Sequence, residues 1–264
     1  MRLPLAARCV QARGHAAIFR PPASCRHSPR RPASGGRRSA LVSGTRRRRC
    51  DARHKVKKPR SNPAARLDRL REEASGCRDC PLWEHATQTV FGEGSARAKL
   101  MLVGEQPGDS EDRQGHPFIG PAGRILDEAL RDAGIDRADT YVTNAVKHFK
   151  WEPRGKRRLH KTPAQREIDA CHQWLEREIA TLQPALVVCL GATAAKSLLG
   201  AAFRITKSRG QVMQREGLPD LLATFHPSYL LRLEDRPGGK EAYAQFVADL
   251  RVAAGRLVPD KSDK

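Results

Sequence analysis

Four cysteines beyond the first sixty residues ask for an explanation first. Cys77 and Cys80 form a C-x-x-C pair, and Cys171 and Cys189 follow at long range. Without a secretory signal pattern, such cysteines are expected to be reduced thiols or metal ligands, not a disulfide framework. Cys9, Cys25 and Cys50 fall in a basic leader and are set apart. Asn144 closes an apolar run, and its amide presents a donor and an acceptor together, as reading the Watson–Crick edge of a pyrimidine requires. A turn-forming Asn would sit there equally well. His226, in His226-Pro-Ser228, could donate to a carbonyl oxygen on which charge develops, or be an ordinary surface or core histidine. Phe118 stands among turn residues in His116-Pro-Phe-Ile-Gly-Pro121. It suits a base-stacking platform or an anchor for its own loop. The loop Gly104-Glu-Gln-Pro-Gly108 offers backbone N–H groups with little side-chain bulk around them.

These residues need elements to position them. The apolar runs Lys99–Val103, Thr140–Asn144, Leu186–Leu190 and Leu221–Phe225 have the length of buried strands. Helical spacing marks Asn62–Glu73, Pro121–Ala133 and Gly239–Leu257, and Gly191–Ala195 starts a short helix. A long helix to about Leu182 is expected to open on a Thr162 cap with Pro163 at its first position. The stretch Lys147–Lys161 is too polar and too broken by Pro153 and Gly155 for core, and reads as a loop. Strands alternating with helices predict an α/β fold, a three-layer α/β/α domain around a central, mainly parallel four-stranded sheet. In such sheets the site lies beyond the carboxyl ends of the strands. That rule groups three loops: Gly104–Gly120, Asn144–Lys161 and His226–Leu231.

Charge is distributed unevenly. Residues 1–60 hold 18 Lys+Arg against one acid, Asp51, and the remaining residues hold 31 against 28. The expected division is a basic leader over 1–61, a folded domain over 62–258 and a short tail over 259–264. The leader is rich in Arg, Pro and Ser with little to bury, so it is expected to be disordered. It reads as a DNA-binding arm, an organellar transit peptide or a dispensable extension. No apolar run approaches the roughly 18 residues that span a bilayer. The expectation is a monomer in the bacterial cytosol, with organellar import left open by the leader.

Five motifs occur in order: Cys77-Arg-Asp-Cys80, Gly104-Glu-Gln-Pro-Gly-Asp109, Gly115-His-Pro-Phe-Ile-Gly120, Thr143-Asn-Ala-Val-Lys-His148 and His226-Pro-Ser228. Together they resemble the family 4 type of uracil-DNA glycosylase. Lys156-Arg-Arg-Leu-His160, with Gln106, is similar to the UdgX branch, whose members bond covalently to uracil-containing DNA. The resemblance runs from about Arg66 to Leu257.

The resemblance implies a [4Fe-4S] cluster on Cys77, Cys80 and Cys171. His148 stands where the family has its remaining cysteine, and imidazole can replace thiolate on iron. Zinc is the rival for a Cys₃His set. Cys189 matches no ligand position and reads as a small buried hydrophobe. The resemblance also implies that Phe118 stacks on uracil, Asn144 reads its edge, His226 stabilises charge on the departing base, and Gln106 to Asp109 hold the pocket. His160 would be the nucleophile, oriented or deprotonated by Glu105. Lys147, Lys150, Lys156, Arg157, Arg158 and Lys161 would meet phosphates of the DNA, single strands included. Two other readings remain: a turnover glycosylase that releases free uracil, and a metal-stabilised nucleic-acid-binding module without catalysis.

Overall fold

The computed structural model describes residues 62–257. Strands β2 (Leu100–Gly104), β3 (Thr140–Asn144), β6 (Leu186–Leu190) and β8 (Asp220–Thr224) form the parallel centre of the sheet, in the order β3-β2-β6-β8. These are the four strands the sequence predicts. Two-residue antiparallel strands, β1 (Glu93–Gly94) on β3 and β7 (Val212–Met213) on β8, extend it to six.

The central strands are buried on both faces, so they read as continuous apolar runs. Met101 and Val103 face one layer, with α1 (Pro63–Ser75), α4 (Gln165–Leu182) and α5 (Ala192–Leu199). Leu100 and Leu102 face the other, with α3 (Pro121–Asp132), α7 (Pro227–Leu231) and α8 (Gly239–Leu257). The chain runs from β2 to β3 on one side and then returns to β6 on the opposite side of β2. This reversal opens a crevice at the carboxyl ends of the strands, the usual place for a ligand in such sheets.

Two expectations need correction. Residues 147–161 are not an irregular loop: β4 (Trp151–Arg154) and β5 (Arg157–His160) form an antiparallel hairpin that pairs Trp151 with His160. Its turn holds Gly155 at φ +60°, a conformation glycine adopts without penalty. The second correction concerns α4. Its N-cap is Ala164, not Thr162, and the Ala164 N–H donates to the Glu167 carboxylate (2.7 Å) from inside the first turn. The remaining elements are the short helices α2 (Asp109–Gln114) and α6 (Ile205–Ser208) and two 3₁₀ turns, Pro81–Glu84 and Arg137–Asp139. No described helix is long and apolar enough to cross a membrane.

Candidate active site

A cleft of about 840 Å³ opens where the central strands end. Each strand contributes to it: Glu105 follows β2, Asn144 ends β3, Gly191 follows β6 and His226 follows β8. Phe118 enters from the loop before α3, and His160 from the end of the hairpin.

Asn144 is almost fully buried, and its Oδ1 is a buried oxygen without a hydrogen-bond partner. An orphaned acceptor of this kind costs about 1–3 kcal/mol unless something supplies a proton. A side chain on Gly104 would stand 2.4 Å from that oxygen and 2.5 Å from the Phe118 ring, so the glycine keeps the approach between them open. Phe118 is held at φ +57°, rare for an aromatic residue and a form of strain that collects at ligand sites. Its ring centroid lies 6.0 Å from that of His226.

His226 Nδ1 accepts the Ser228 N–H (3.1 Å), so the ring proton sits on Nε2. Burial pushes its pKa down to about 4, with His160 and Arg232 adding to the shift. The neutral ring therefore carries a donor.

His160 presents the opposite character. The Lys150 N–H donates to Gln106 Oε1 (3.0 Å), which fixes the orientation of that amide. Gln106 Nε2 then faces His160 Nε2 at 2.9 Å, and an amide nitrogen only donates. His160 Nε2 therefore bears a lone pair, with its proton on Nδ1. Gln106 Nε2 also donates to the Lys150 carbonyl (3.2 Å) and the Lys161 carbonyl (3.0 Å), so its two protons are shared among three acceptors. Burial lowers the His160 pKa, opposed by Glu105 and aided by Arg232. Glu105 Oε1 stands 3.7 Å from His160 Nε2, and its Oε2 accepts the Thr193 hydroxyl at 2.5 Å. One side of the cleft thus holds an imidazole with its unprotonated nitrogen near Glu105, and another holds an imidazole with an N–H donor.

Residues 91–251 match the family described as the Uracil DNA glycosylase superfamily. The chain belongs to this superfamily. A Type-4 uracil-DNA glycosylase from Thermotoga maritima is 40% identical over 167 residues, covering 63% of this chain and 83% of the relative. One from Archaeoglobus fulgidus is 32% identical over 204 residues, 75% of this chain and 98% of the relative. A Type-5 uracil-DNA glycosylase from Thermus thermophilus is 32% identical over 187 residues, 62% and 80% respectively.

In this superfamily member the sulfur-bearing residues gather away from the cleft. Cys77 and Cys80 pack against the core layer that contains Cys171. Cys77 Sγ accepts the Trp174 indole N–H (3.3 Å), and Cys171 Sγ accepts the Lys147 backbone N–H (3.2 Å). Such bonds stabilise thiolates. Burial nevertheless raises the Cys80 thiol and pushes Cys171 up to about 12, and Cys77 and Cys80 lie close enough for their charge to add to the rise at Cys171. A compensating cation would reverse that balance. His148, next in sequence to the Lys147 whose N–H reaches Cys171, is buried, and that burial lowers its pKa. Thr89 donates its hydroxyl proton to the Ala74 carbonyl (3.1 Å) and so accepts from His148 Nε2 (2.8 Å), leaving Nδ1 with the free lone pair. Three sulfurs and one unprotonated nitrogen fit the donor set of a cluster with one imidazole ligand. Among the described residues, no group of three or more His, Cys, Asp or Glu converges on a single-ion site. Cys189 lies fully buried in β6, its thiol pushed up to about 12 by burial.

The hairpin's cations part company. Lys156 and Arg157 are exposed near its tip. Arg158 is not available to a phosphate: its guanidinium bonds Asp109, Asp112 (2.6 Å) and Thr87 (3.2 Å), and lies over the rings of Phe149 and Trp151. These contacts fasten β5 to α2; against the opposing effect of burial, Arg113 and Arg158 together hold Asp109's carboxyl below its usual range. Lys147 is 1% exposed, with Nζ on Glu178 (2.5 Å), Thr143 (2.7 Å) and the Asn144 carbonyl (2.8 Å). Lys150 pairs with Glu167 and Lys161 with Glu152, each at 2.9 Å.

Sequence reasoning misses Glu111 and Thr193. Glu111 accepts the N–H groups of Gly108 (3.1 Å) and Gly120 (2.8 Å), joining the loop of Gln106 to the loop of Phe118. No spacing rule points to either residue. Glu178 did carry a signal, because it extends the apolar stripe of Cys171, Trp174 and Leu175 along α4, where an acid needs a buried partner.

Proposed function

We propose that this chain recognises uracil in DNA, single strands included, breaks its N-glycosidic bond, and is left bonded to the sugar through His160, as in the UdgX branch. The observation that carries the reading is the His160 Nε2 lone pair, held at the cleft beside Glu105. Asn144 Oδ1 would accept the uracil N3–H, which would satisfy the orphaned oxygen, and the Phe118 ring would stack on the base. As the C1′–N1 bond breaks, its electron pair leaves with the uracil, and His226 Nε2–H donates to the charge developing on the O2 oxygen. Gln106 then gives up its contact with His160 while its two protons keep the Lys150 and Lys161 carbonyls, and the freed Nε2 lone pair forms the bond to C1′. The imidazolium so produced faces the Glu105 carboxylate and becomes neutral by losing its Nδ1 proton to solvent. The protein is consumed.

Gln106 keeps Nε2 free of its proton, and Asp109 secures the hairpin through Arg158. Lys156 and Arg157 would meet phosphates. Cys77, Cys80, Cys171 and His148 would hold a [4Fe-4S] cluster, which when bound would tie α1, α4 and the segment after β3 together and compensate the buried thiolates. A turnover reading has one observation in its favour: Glu105 lines the same cleft and could activate water instead.

A denaturing gel of the protein mixed with uracil-containing single-stranded DNA separates the readings. A shifted band that survives heat and detergent, absent with His160→Ala and with thymine in place of uracil, is the expected result. Free uracil without the band would identify turnover. Neither product, with a colourless zinc-containing preparation in place of a brown one, would leave only a binding module.

A further inference from the structure

The cleft is larger than one pyrimidine fills. Phe118, Asn144 and His226 gather at one end, and beyond His226 the wall continues through Phe225, Tyr229, Leu231 and Ile205. Among the described residues six large hydrophobic side chains are exposed, and two of them, Tyr229 (39%) and Leu231 (36%), lie on this wall. Singly exposed apolar residues need no explanation, but a paired patch rimming a site does.

Tyr229 is braced as well as exposed. Its N–H donates to the His226 carbonyl (2.8 Å), and its ring centroid lies 5.2 Å from that of Phe225. The Arg209 guanidinium lies over the Phe225 ring at 4.6 Å and is itself held by Asp249 (2.6 Å) and Gln245 (3.0 Å). The part-buried Arg209 guanidinium thus holds Phe225, whose tilted ring in turn braces the exposed Tyr229. Arg232 follows α7, lines the cleft and lies within electrostatic reach of both His160 and His226. A cation thus stands on the cleft lining near the two histidines, at the end of the helix that carries Tyr229's neighbour Ser228.

We propose that Tyr229, braced by Phe225, forms a second subsite that stacks on the nucleobase next to the uracil in the same single strand, with Arg232 on the phosphate between the two nucleotides. The proposal rests on the uracil-DNA reading and adds a subsite to it. Stacking is open to any base, so the subsite would select an unpaired strand and not a sequence. In duplex DNA the neighbouring base is already stacked and paired, and would have to be pulled away first.

The test is equilibrium binding, by fluorescence anisotropy, of single-stranded oligonucleotides carrying a central 2′-fluoro-2′-deoxyuridine that resists cleavage. Each flanking nucleotide is replaced in turn by an abasic spacer. Removing the base on one flank is expected to weaken wild-type binding by about tenfold, within the range of stacking on an aromatic side chain. Tyr229→Ala should weaken binding of the fully based strand by a similar factor, and combining the variant with that spacer should add little. Tyr229→Phe should bind as the wild type does. Losses that add, or a Tyr229→Ala variant that binds like wild type, would overturn the subsite. Equal binding of uracil and thymine strands would instead count against the uracil reading, and the flank comparison would still be readable within each pair.

Discussion

Two histidines in one cleft hold their protons on different nitrogens, and neighbours decide which. At His226 a backbone N–H occupies Nδ1, and at His160 the Gln106 amide faces Nε2. Both are shifted below the ordinary value of 6.5 by burial. Attack on C1′ requires His160 neutral, and lowering the pH protonates it. The single-turnover capture rate should therefore have its midpoint below 6.5, and fall about tenfold per unit once the pH passes below the lowered His160 value. A midpoint at or above 6.5 would mean that the cleft does not disfavour the charged form of this half-exposed ring. His226 carries the same sign into stability. Its depressed value means stability is complete above about 6.5 and is lost as the pH falls toward 4, because the unfolded chain takes up the proton first. Thermal melts across that window must accompany the rate profile.

At the scale of elements, the proposed capture would depend on the hairpin, which carries His160 to the cleft. Little in Trp151–Arg154 or Arg157–His160 announces strands: there is no apolar alternation, and a proline stands in the first. What makes them strands is tertiary, namely the Arg158 bonds to α2 and its place over Phe149 and Trp151. The four central strands were legible because burial on both faces forces unbroken apolar runs. The hairpin was not, because the α2 carboxylates that Arg158 bonds lie more than 45 positions away, as Asp112 does. Charge misled for the same reason, since Lys147 and Arg158 look like phosphate contacts in the sequence and are internal ties in the fold. Asn144, Phe118 and His226 could be picked out by type and by position at strand ends, whereas Glu111 and Thr193 became visible only with the loops in place. Arg158→Ala should loosen the hairpin without removing any group that touches the base. Adduct yield on uracil-containing DNA should then drop by at least severalfold while free uracil rises from near zero. An equal fall in both products would mean that Arg158 supports the whole cleft and not the hairpin alone.

Across the whole molecule, one buried ion pair spans the distance between the thiols and the base-reading end. Lys147 donates its N–H to Cys171, its Nζ to Glu178 and to the Asn144 carbonyl, while Glu178 also accepts from Tyr141 and Gly92. Removing one partner strands the other charge in the core, so Glu178→Leu should cost about 3–5 kcal/mol in denaturant melts, and Lys147→Met with Glu178→Leu should recover much of it. The molecule's other electrostatic feature is its division of charge. Eighteen of the 49 Lys+Arg residues lie within residues 1–60, which contain a single acid, whereas the rest of the chain is nearly balanced. Counterion release makes the salt dependence of DNA affinity a count of phosphates neutralised, each contributing about −0.7 to the slope on a single strand. If the leader grips DNA, the full chain should show a slope steeper by several units than a chain beginning at Asn62, and should bind uracil-free DNA far more tightly at low salt. The groups assigned to the proposed capture through His160 all lie in the described domain, so the rate at saturating DNA should be the same for both chains. Matching slopes would make the leader's charge irrelevant to DNA, and a slower rate in the shortened chain would show that residues before Asn62 reach the cleft.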